Sequence, residues 1–253
     1  MQALLEGRHA MVSGGSRGIG RAVAAALTGA GASVSILGRD RQALEAAVSG
    51  KAAARSFTAD VTDEAQCRAA ITAAVGEAGP IDIVIANAGN AESSPFAKSD
   101  DQLFRRMIDL NLMGAVHVVR PVIGGMAERG FGRVVVIASL AGLRGYAYVS
   151  AYVAAKHAAV GLSRALAAEF DGTGVTVNAV CPGYTDTDLV RTSIDRIVQK
   201  TGRTREVALA AMLAPDAQQD LIAPEDVAAA VLRLCLLEGS GINGEAIAVE
   251  KKN

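Results

Sequence analysis

The chain has 253 residues, 51% of them hydrophobic and 20% charged, so it can bury a sizeable apolar core and is not intrinsically disordered. Its net charge of −1 argues against nucleic acid or an anionic membrane as a partner. Three cysteines without a CxxC pair, together with only three histidines, indicate neither a disulfide framework nor a metal site.

Short β-branched apolar runs alternate along the chain with longer Ala-rich segments that are typical of helices. Most of the short runs lack polar alternation, as expected for parallel strands buried on both faces. The predicted strands are 9–13, 33–37, 56–59, 81–86, 133–138, 175–180 and 246–249. The predicted helices lie near 17–29, 40–49, 63–77, 101–129, 151–170 and 225–238. This alternation predicts a single doubly wound α/β domain over 1–253, with a seven-stranded parallel sheet flanked by helices on both faces.

The segment 184–222 is the exception to this alternation, because it is polar and favours neither strand nor helix. It follows the sixth predicted strand, and in open parallel sheets ligands bind beside the carboxyl ends of the strands. An insertion at that place is where a lid over a substrate would lie. We therefore predict a substrate lid over about 184–222.

Two features bear on localisation. The N-terminal sequence MQALLEGRHA lacks the basic and then apolar build of a signal peptide. Charged residues, among them Asp109, Arg120, Arg144 and Lys156, interrupt the most apolar stretches before they reach membrane-spanning length. The sequence thus predicts a cytoplasmic protein that has no membrane partner.

A glycine-rich turn, SGGSRGIG at 13–20, follows the first predicted strand and precedes the first predicted helix. Its glycines allow a tight turn and a close approach of the backbone to a pyrophosphate, which the helix N-terminus would attract. An ordinary βα turn is the alternative, but the position after the first strand favours a dinucleotide site. The predicted cofactor contacts in this turn are Gly14, Ser16, Arg17, Gly18, Ile19 and Gly20.

The end of the second predicted strand, ILGRD at 36–40, bears on the choice of cofactor. Dinucleotide folds of this type place an acidic residue there to hold the ribose hydroxyls, whereas this chain has Gly38 followed by Arg39. The guanidinium groups of Arg39 and Arg17 suit the 2′-phosphate of NADP(H). We therefore predict NADP(H), with NAD(H) as the alternative in which Asp40 holds the ribose and Arg39 is a solvated loop charge.

Tyr152 and Lys156 lie four residues apart in SAYVAAKH (150–157), so a helix would place them on one face. In one interpretation Tyr152 is a half-buried anchor and Lys156 is a solvated charge. In the other the pair transfers protons, because a nearby cation lowers the pKa of a phenol from about 10 toward neutrality. The choice between them depends on the rest of the chain.

Further motifs accompany this pair. Ser139 ends the fifth predicted strand, ANAG (86–89) ends the fourth, and CPGYTDT (181–187) follows the sixth. Asn111 lies in the middle of the long helix predicted between the fourth and fifth strands. In this order and spacing the motifs resemble the short-chain dehydrogenase/reductase family over essentially the whole chain, and in particular its bacterial 3-oxoacyl reductase-like ketoreductases.

The resemblance implies a role for each matching residue. Tyr152 matches the general acid, and Lys156 matches the residue that lowers its pKa and holds the nicotinamide ribose. Ser139 matches the hydroxyl that orients the substrate oxygen, and Asn111 matches the residue that holds a water behind Lys156. The remaining matches are cofactor contacts: Asp60, Val61, Asn87, Gly89, Pro182, Gly183, Thr185 and Thr187.

The resemblance therefore implies an NADP(H)-dependent reductase of a ketone, either a 3-oxoacyl thioester or a polyketide-like carbonyl. A coenzyme A thioester or a free ketone is favoured over a carrier-bound chain, because the turn EFDGTGVT (169–176) lacks arginine. The alternatives are an NAD-dependent 3-hydroxyacyl or secondary-alcohol dehydrogenase, a cofactor-sensing protein without turnover, and a structural partner subunit. Fold alone does not decide among these classes.

The walls of the substrate pocket are expected to come from 90–96, 140–149 and 184–222, and they should be mainly apolar. The side chains that give them this character are Phe96, Leu143, Tyr146, Tyr148 and Met212.

The helices predicted at 101–129 and 151–170 are more apolar than helices that face solvent need to be. The resemblance implies that they are buried against a second subunit, in a homotetramer or a homodimer. The C-terminal sequence VEKKN departs from the glycine-rich ending of the family, so the contacts of the tail are not carried over.

Overall fold

The computed structural model describes residues 4–251, apart from the side chains of residues 237 and 238. Seven parallel strands form one sheet in the order β3-β2-β1-β4-β5-β6-β7, which confirms the predicted fold class. The strands are β1 His9–Ser13, β2 Ser33–Gly38, β3 Arg55–Thr58, β4 Ile83–Ala86, β5 Gly132–Ile137, β6 Val175–Pro182 and β7 Ala246–Val249.

Helices cover both faces of this sheet. They are α1 Gly18–Gly29, α2 Arg41–Ser49, α3 Glu64–Ala78, α4 Asp101–Ile108, α5 Gly114–Glu128, α6 Ser150–Glu169, α7 Asp188–Thr201, α8 Arg205–Leu213 and α9 Pro224–Cys235. Three of them begin in the same way, because the aspartates Asp40, Asp63 and Asp100 each accept a hydrogen bond from the backbone N–H three residues later. Such an N-cap contributes about 1 kcal/mol to helix stability.

The apolar core is divided between the two faces of the sheet. Successive residues of β1 point to opposite sides, so Met11 and Val12 belong to different core clusters. Val12 packs with residues of α1 and α9 such as Leu27 and Val231, whereas Met11 packs on the side of α3 and α5 with Val118. Each face therefore holds its helices by burying continuous apolar strands.

The helix predicted over 101–129 is interrupted. Between α4 and α5 the residues Asp109–Met113 form a π-helical turn, in which the N–H of Gly114 donates to the carbonyl of Asp109, five residues earlier. Such a turn displaces the ordinary i to i−4 hydrogen bonds. The side-chain amide of Asn111 donates to the carbonyl of Met107 at 3.0 Å and so occupies one of the displaced acceptors.

The stretch Asp101–Glu128 is also long and apolar enough to cross a membrane by length and composition alone. We had expected charged residues to interrupt every apolar stretch before that length. In the fold, 44% of its most apolar window is buried inside the protein, and a core helix of a soluble protein passes the same test. The observed packing of α5 against the sheet is that of a core helix.

The segment 184–222 forms helices α7 and α8, although its sequence favoured no element. The two ends of the segment meet at a parallel bridge between Thr185 and Ile222. The N–H of Ile222 donates to the carbonyl of Tyr184, and the N–H of Asp186 donates to the carbonyl of Ile222, both at 2.9 Å. The two helices are therefore an excursion anchored just beyond the carboxyl end of β6.

Candidate active site

The strand order reverses direction between β1 and β4, because the chain runs outward from β1 through β2 to β3 and then crosses to β4. Open parallel sheets bind ligands at such a switch point, outside the carboxyl ends of the strands. The glycine-rich turn, the ANAG motif and Ser139 all follow strands whose carboxyl ends lie at this edge. The topology therefore brings the predicted motifs to one crevice.

The glycine-rich turn fits a dinucleotide pyrophosphate. Gly18 has a φ of +52°, which disfavours other residues, and a Cβ on Gly20 would collide with the carbonyl oxygen of Gly14. In the described part of the chain no side chain caps the N-terminus of α1, since Arg17 at the cap position makes no such bond. The N–H groups of the first turn are therefore available to an anion.

Asn87 fixes this turn to the end of β4. Its side-chain amide donates to the carbonyls of Ser13 and Gly14 at 2.9 and 3.2 Å. In return, the backbone N–H groups of Asn87 and Ala88 donate to the hydroxyl of Ser13 at 3.0 and 3.1 Å. Asn87, predicted to contact the cofactor, thus also sets the shape of the turn.

The end of the crevice that is predicted to hold the adenosine lies beyond β2. Gly38 brings no side chain to this point, and Asp40 accepts a hydrogen bond from the N–H of Ala43 as the cap of α2. The guanidinium of Arg39 is 70% exposed and lies 3.6 Å from Asp60. Arg17 is exposed and has no ion pair with any described side chain.

Asp60 and Val61 lie beside this end but are partly engaged in the fold. Burial raises the pKa of Asp60, but hydrogen bonds from Thr62 and the charge of Arg39 outweigh it, so the net shift is downward. Val61 is 3% exposed, and its carbonyl lies 2.8 Å from the ring nitrogen Nδ1 of His117. Their contacts with adenine stay a prediction.

Tyr152, Lys156 and Ser139 meet at the carboxyl end of β5. The first two lie one turn apart on α6, with the Lys156 nitrogen 5.7 Å from the centre of the Tyr152 ring. Lys156 donates to the carbonyl of Ile137 at 2.8 Å, and the hydroxyl of Ser139 lies close enough to that of Tyr152 to influence its pKa. The Ser139 hydroxyl also accepts from the N–H of Ala141 at 3.1 Å, which fixes its position.

Burial dominates the protonation of this pair. It raises the pKa of Tyr152 to about 12 against the opposing effect of the Ser139 hydroxyl, and it lowers the pKa of Lys156 to about 8. The net shift of the Tyr152 pKa is therefore upward, and the lysine is directed to the carbonyl of Ile137, so a lowering of the Tyr152 pKa by Lys156 stays a prediction. At neutral pH the phenol is protonated, which is the form that can donate a proton.

Asn111, in the π-helical turn, lies near Lys156. Its side-chain oxygen accepts from the N–H of Asn90 at 3.3 Å, and its amide donates to the carbonyl of Asn90 at 3.0 Å. A Cβ on Gly89 would lie 2.8 Å from the Asn111 oxygen and 3.4 Å from the Lys156 nitrogen. Asn111 and Lys156 therefore converge on Gly89, while the holding of a water stays a prediction.

A cavity of about 630 Å³ opens in front of Tyr152 and Ser139. Tyr146, Tyr148 and Met212 line it, as predicted. Phe96 and Leu143 do not, which corrects the prediction: Phe96 is 75% exposed and packs edge to face on Phe104. Within residues 4–251 no three His, Cys, Asp or Glu side chains are grouped so that they could hold a metal ion.

The loop after β6 forms another wall of this cavity. The predicted contacts Pro182, Gly183, Thr185 and Thr187 all line it, as does Ile19 of the glycine-rich turn. The loop also covers the turn, since a Cβ on Gly18 would lie 3.1 Å from the methyl group of Thr187.

Gln218 supports this loop and was missed by the sequence analysis. Its side-chain oxygen accepts from the N–H of Tyr184 at 3.1 Å, and its amide donates to the carbonyl of Tyr184 at 2.7 Å. Gln218 is only 7% exposed. No local pattern marks it, because its partner lies 34 residues away in the sequence.

A second missed feature is a polar network around Arg144. The guanidinium lies 2.7 Å from Asp216, donates to Glu250 at 3.0 Å and donates to the hydroxyl of Tyr146 at 3.0 Å. Tyr146 in turn donates to Asp216 at 2.6 Å, and the Asp216 side chain is only 3% exposed. The network joins the loop before α6, the end of α8 and the C-terminal segment.

Known proteins similar to this chain agree with the geometry. Residues 8–197 match the family model of the short chain dehydrogenases. An acetoacetyl-CoA reductase of Paracoccus denitrificans is 36% identical over 207 residues, covering 82% of this chain and 85% of that enzyme. A D-beta-hydroxybutyrate dehydrogenase of Cupriavidus necator is 34% identical over 203 residues, covering 79% of each chain.

Among solved structures, an actinorhodin polyketide ketoreductase with NADPH superposes with a TM-score of 0.89 at 31% sequence identity. The superposition covers 96% of this chain and 95% of that ketoreductase.

Proposed function

The chain belongs to the short-chain dehydrogenase/reductase family, and on that premise we propose that it reduces the keto group of a 3-oxoacyl thioester, or of a polyketide-like ketone, with NADP(H). The observation that carries this proposal is the placement of two hydroxyl side chains, Ser139 and Tyr152, on the wall of a cavity of about 630 Å³. Lys156 and Asn111 lie behind that pair.

A bound nicotinamide dinucleotide supplies the hydride for this reaction. Reduction of a carbonyl carbon moves an electron pair onto its oxygen, which must then be protonated. The hydroxyls of Ser139 and Tyr152 hold that oxygen, and Tyr152 transfers its proton to it. The pKa of about 12 keeps this proton in place until the oxygen becomes basic. Lys156 stabilises the phenolate that remains and, with Asn111, forms the path by which the proton is restored.

The preference for NADP(H) rests on the residues beyond β2. Gly38 offers no acceptor for a ribose 2′-hydroxyl, and Asp40 is engaged as the cap of α2. Arg39 and Arg17 offer exposed guanidinium groups to a 2′-phosphate. The similar polyketide ketoreductase was solved with NADPH, which supports the same choice. NAD(H) is the alternative, in which Asp40 or a backbone group holds the ribose.

The substrate proposal rests on the cavity and on the relatives. The cavity is enclosed on one side by α7 and α8, so we assign the segment 184–222 as a lid. An acyl thioester is favoured by the similarity to acetoacetyl-CoA reductase. The similarity to a hydroxybutyrate dehydrogenase supports the runner-up, an NAD-dependent 3-hydroxyacyl or secondary-alcohol dehydrogenase with the same site.

We further propose a cytoplasmic homotetramer or homodimer. The helices α5 and α6 are rich in Ala, Val, Leu and Gly, which suits burial against a second copy. Static light scattering should return a multiple of the monomer mass of 25.8 kDa. A monomer mass over a wide concentration range would contradict the assembly.

A screen of NADPH and NADH oxidation tests the function. Purified protein is offered free ketones and 3-oxoacyl thioesters of short and long chain with each cofactor. We expect NADPH oxidation with at least one 3-oxoacyl thioester and a lower kcat/KM with NADH. Turnover only in the oxidising direction with NAD would favour the dehydrogenase, and tight cofactor binding without any turnover would favour a sensor.

A further inference from the structure

One face of α7 lines the cavity along most of the length of the helix. The residues that face the cavity are Leu189, Val190, Ser193, Arg196, Ile197 and Lys200, with the spacing of a single helical stripe. The first of these residues follows Thr187, which lies against the glycine-rich turn. Since a helix rises 1.5 Å per residue, Lys200 lies roughly 16 Å farther along the cavity than Leu189.

The charged residues of α7 divide into two groups. Those outside the cavity lining have partners: Arg191 pairs with Asp186 at 2.9 Å, and Asp195 pairs with Arg205. Arg196 and Lys200, on the lining, have no ion pair or side-chain hydrogen bond with any residue that the structure describes.

The carboxylates of the same cavity do not balance these two cations. Glu92 is paired with Arg106 at 3.1 Å, and Asp216 is paired with Arg144 at 2.7 Å. Like charges four residues apart destabilise a helix by a few tenths of a kcal/mol. The negative end of the helix dipole accounts for a cation at Lys200, near the last turn, but not for Arg196, one turn earlier.

We propose that Arg196 and Lys200 form a phosphate-binding site for the distal end of the substrate. The keto group lies at Tyr152 and Ser139, the acyl chain and its polar arm follow the α7 stripe, and the phosphates at the end of a pantetheine-type arm meet the two cations. This inference rests on the proposed function and narrows its substrate to phosphate-bearing thioesters. Free coenzyme A thioesters and phosphopantetheine-bound chains share this chemistry.

The test compares three thioesters with the same acetoacetyl group and different tails. Acetoacetyl-CoA carries three phosphate groups, acetoacetyl-4′-phosphopantetheine carries one, and the acetoacetyl thioester of N-acetylcysteamine carries none. The variants are Arg196→Gln, Lys200→Gln and the double substitution. Arg203→Gln is the control, because Arg203 is exposed, follows the same helix and lies outside the cavity lining.

We expect the double substitution to raise KM for acetoacetyl-CoA about 5- to 30-fold, as two partly exposed charge contacts allow. The value of kcat should stay within twofold, and kinetics with the N-acetylcysteamine thioester should not change. The Arg203→Gln variant should behave as the wild type. A loss with acetoacetyl-CoA alone would assign the site to coenzyme A, and a loss with both phosphate-bearing thioesters would assign it to the pantetheine phosphate.

Equal losses with all three thioesters would overturn the inference, since the cations would then act on the shape of the lid. The inference would also be overturned if the double substitution raised KM for acetoacetyl-CoA no more than Arg203→Gln does. This holds even if the wild type is active on the N-acetylcysteamine thioester. The proposed function fails separately, when the wild type reduces none of the three. In that case the phosphate site is still tested by calorimetric titration of coenzyme A into the wild type and the double variant. The inference predicts that the double variant binds coenzyme A more weakly.

Discussion

The two sides of the crevice are held together by different kinds of contact. On the cofactor side, the side-chain amide of Asn87 bonds two carbonyls of the turn, and Gly20 lies so close to the Gly14 carbonyl that it has no space for a methyl group. On the substrate side, long side chains bridge distant segments, as Arg144 bridges Asp216 and Glu250. Arg144 is partly exposed and Tyr146 also donates to Asp216, so solvent and Tyr146 can replace part of the Arg144 contacts. The comparison indicates a rigid cofactor side and an adaptable substrate side.

The largest effect is expected at Tyr152, where the two sides meet. Tyr152→Phe keeps the ring and removes only the transferable proton, so kcat should fall by about 10²–10⁴-fold. The Kd for NADPH, measured by fluorescence titration, should stay within twofold because the cofactor side is unchanged. A variant that keeps near wild-type kcat would remove Tyr152 from the proton-donating role.

The protonation of Lys156 gives the next largest effect. Burial lowers its pKa to about 8, so its cation is present below pH 8 and is lost as the pH rises through that value. Tyr152 keeps its proton over the same range, because its pKa is raised to about 12. The kcat/KM for reduction should therefore fall about tenfold per pH unit above pH 8. A profile that stays flat to pH 10 would show that the charge of Lys156 is not used.

The cofactor preference should change when the charge beyond β2 is exchanged. Gly38→Asp combined with Arg39→Gln supplies an acceptor and removes a cation, so the preference should move from NADPH to NADH by about 10- to 100-fold. The measurement is kcat/KM for both cofactors with one ketone. Arg41→Gln is the control, because Arg41 is bound to Glu45 and exposed. Wild type that already prefers NADH would contradict this account of the adenosine end.

The rigidity of the cofactor side is tested at Gly20. Gly20→Ala places a methyl group against the Gly14 carbonyl and within 2.5 Å of the Asn87 amide, so the free energy of unfolding should fall by about 1–3 kcal/mol. Binding of NADPH should weaken together with stability. Gly29→Ala, on the same helix, meets no described atom within 4 Å outside its own helix and neighbouring residues, so it should not lower the free energy of unfolding and should leave NADPH binding unchanged. Equal behaviour of the two variants in urea unfolding would show that the turn tolerates repacking.

The smallest effect is expected at Arg144. Arg144→Gln breaks its bonds to Asp216 and Glu250, so the substrate side loosens and KM for the ketone should rise about two- to fivefold, with kcat nearly unchanged. Arg68→Gln, which breaks an exposed pair on α3, is the control. A large loss of kcat would show that the substrate side is as rigid as the cofactor side.

The same contrast explains what the sequence could predict. All seven strands were placed within two residues of their observed bounds, because buried parallel strands have a strong local pattern. The glycine-rich turn and the Tyr152–Lys156 pair are likewise short-range features. The Arg144 network joins residues up to 106 positions apart, and no local pattern marks such a contact.

Two other errors have three-dimensional causes. The pKa of Tyr152 was predicted to fall, but it rises because burial outweighs its polar contacts, and burial is not visible in a tetrapeptide. The helices of 184–222 were missed because the face of α7 that lines the cavity mixes apolar residues with Ser193, Arg196 and Lys200, so the sequence shows no clear apolar period.

The most direct test of the account follows the hydride itself. The protein is incubated with acetoacetyl-CoA and with NADPH deuterated at one or the other face of C4, in separate reactions, and the product is analysed by mass spectrometry and NMR. We predict that one of the two reactions yields 3-hydroxybutyryl-CoA with a single deuterium on C3, and that Tyr152→Phe abolishes most of it. Deuterium-free product in both reactions, or no alcohol product from this or any other ketone, would contradict reduction by hydride transfer at this site.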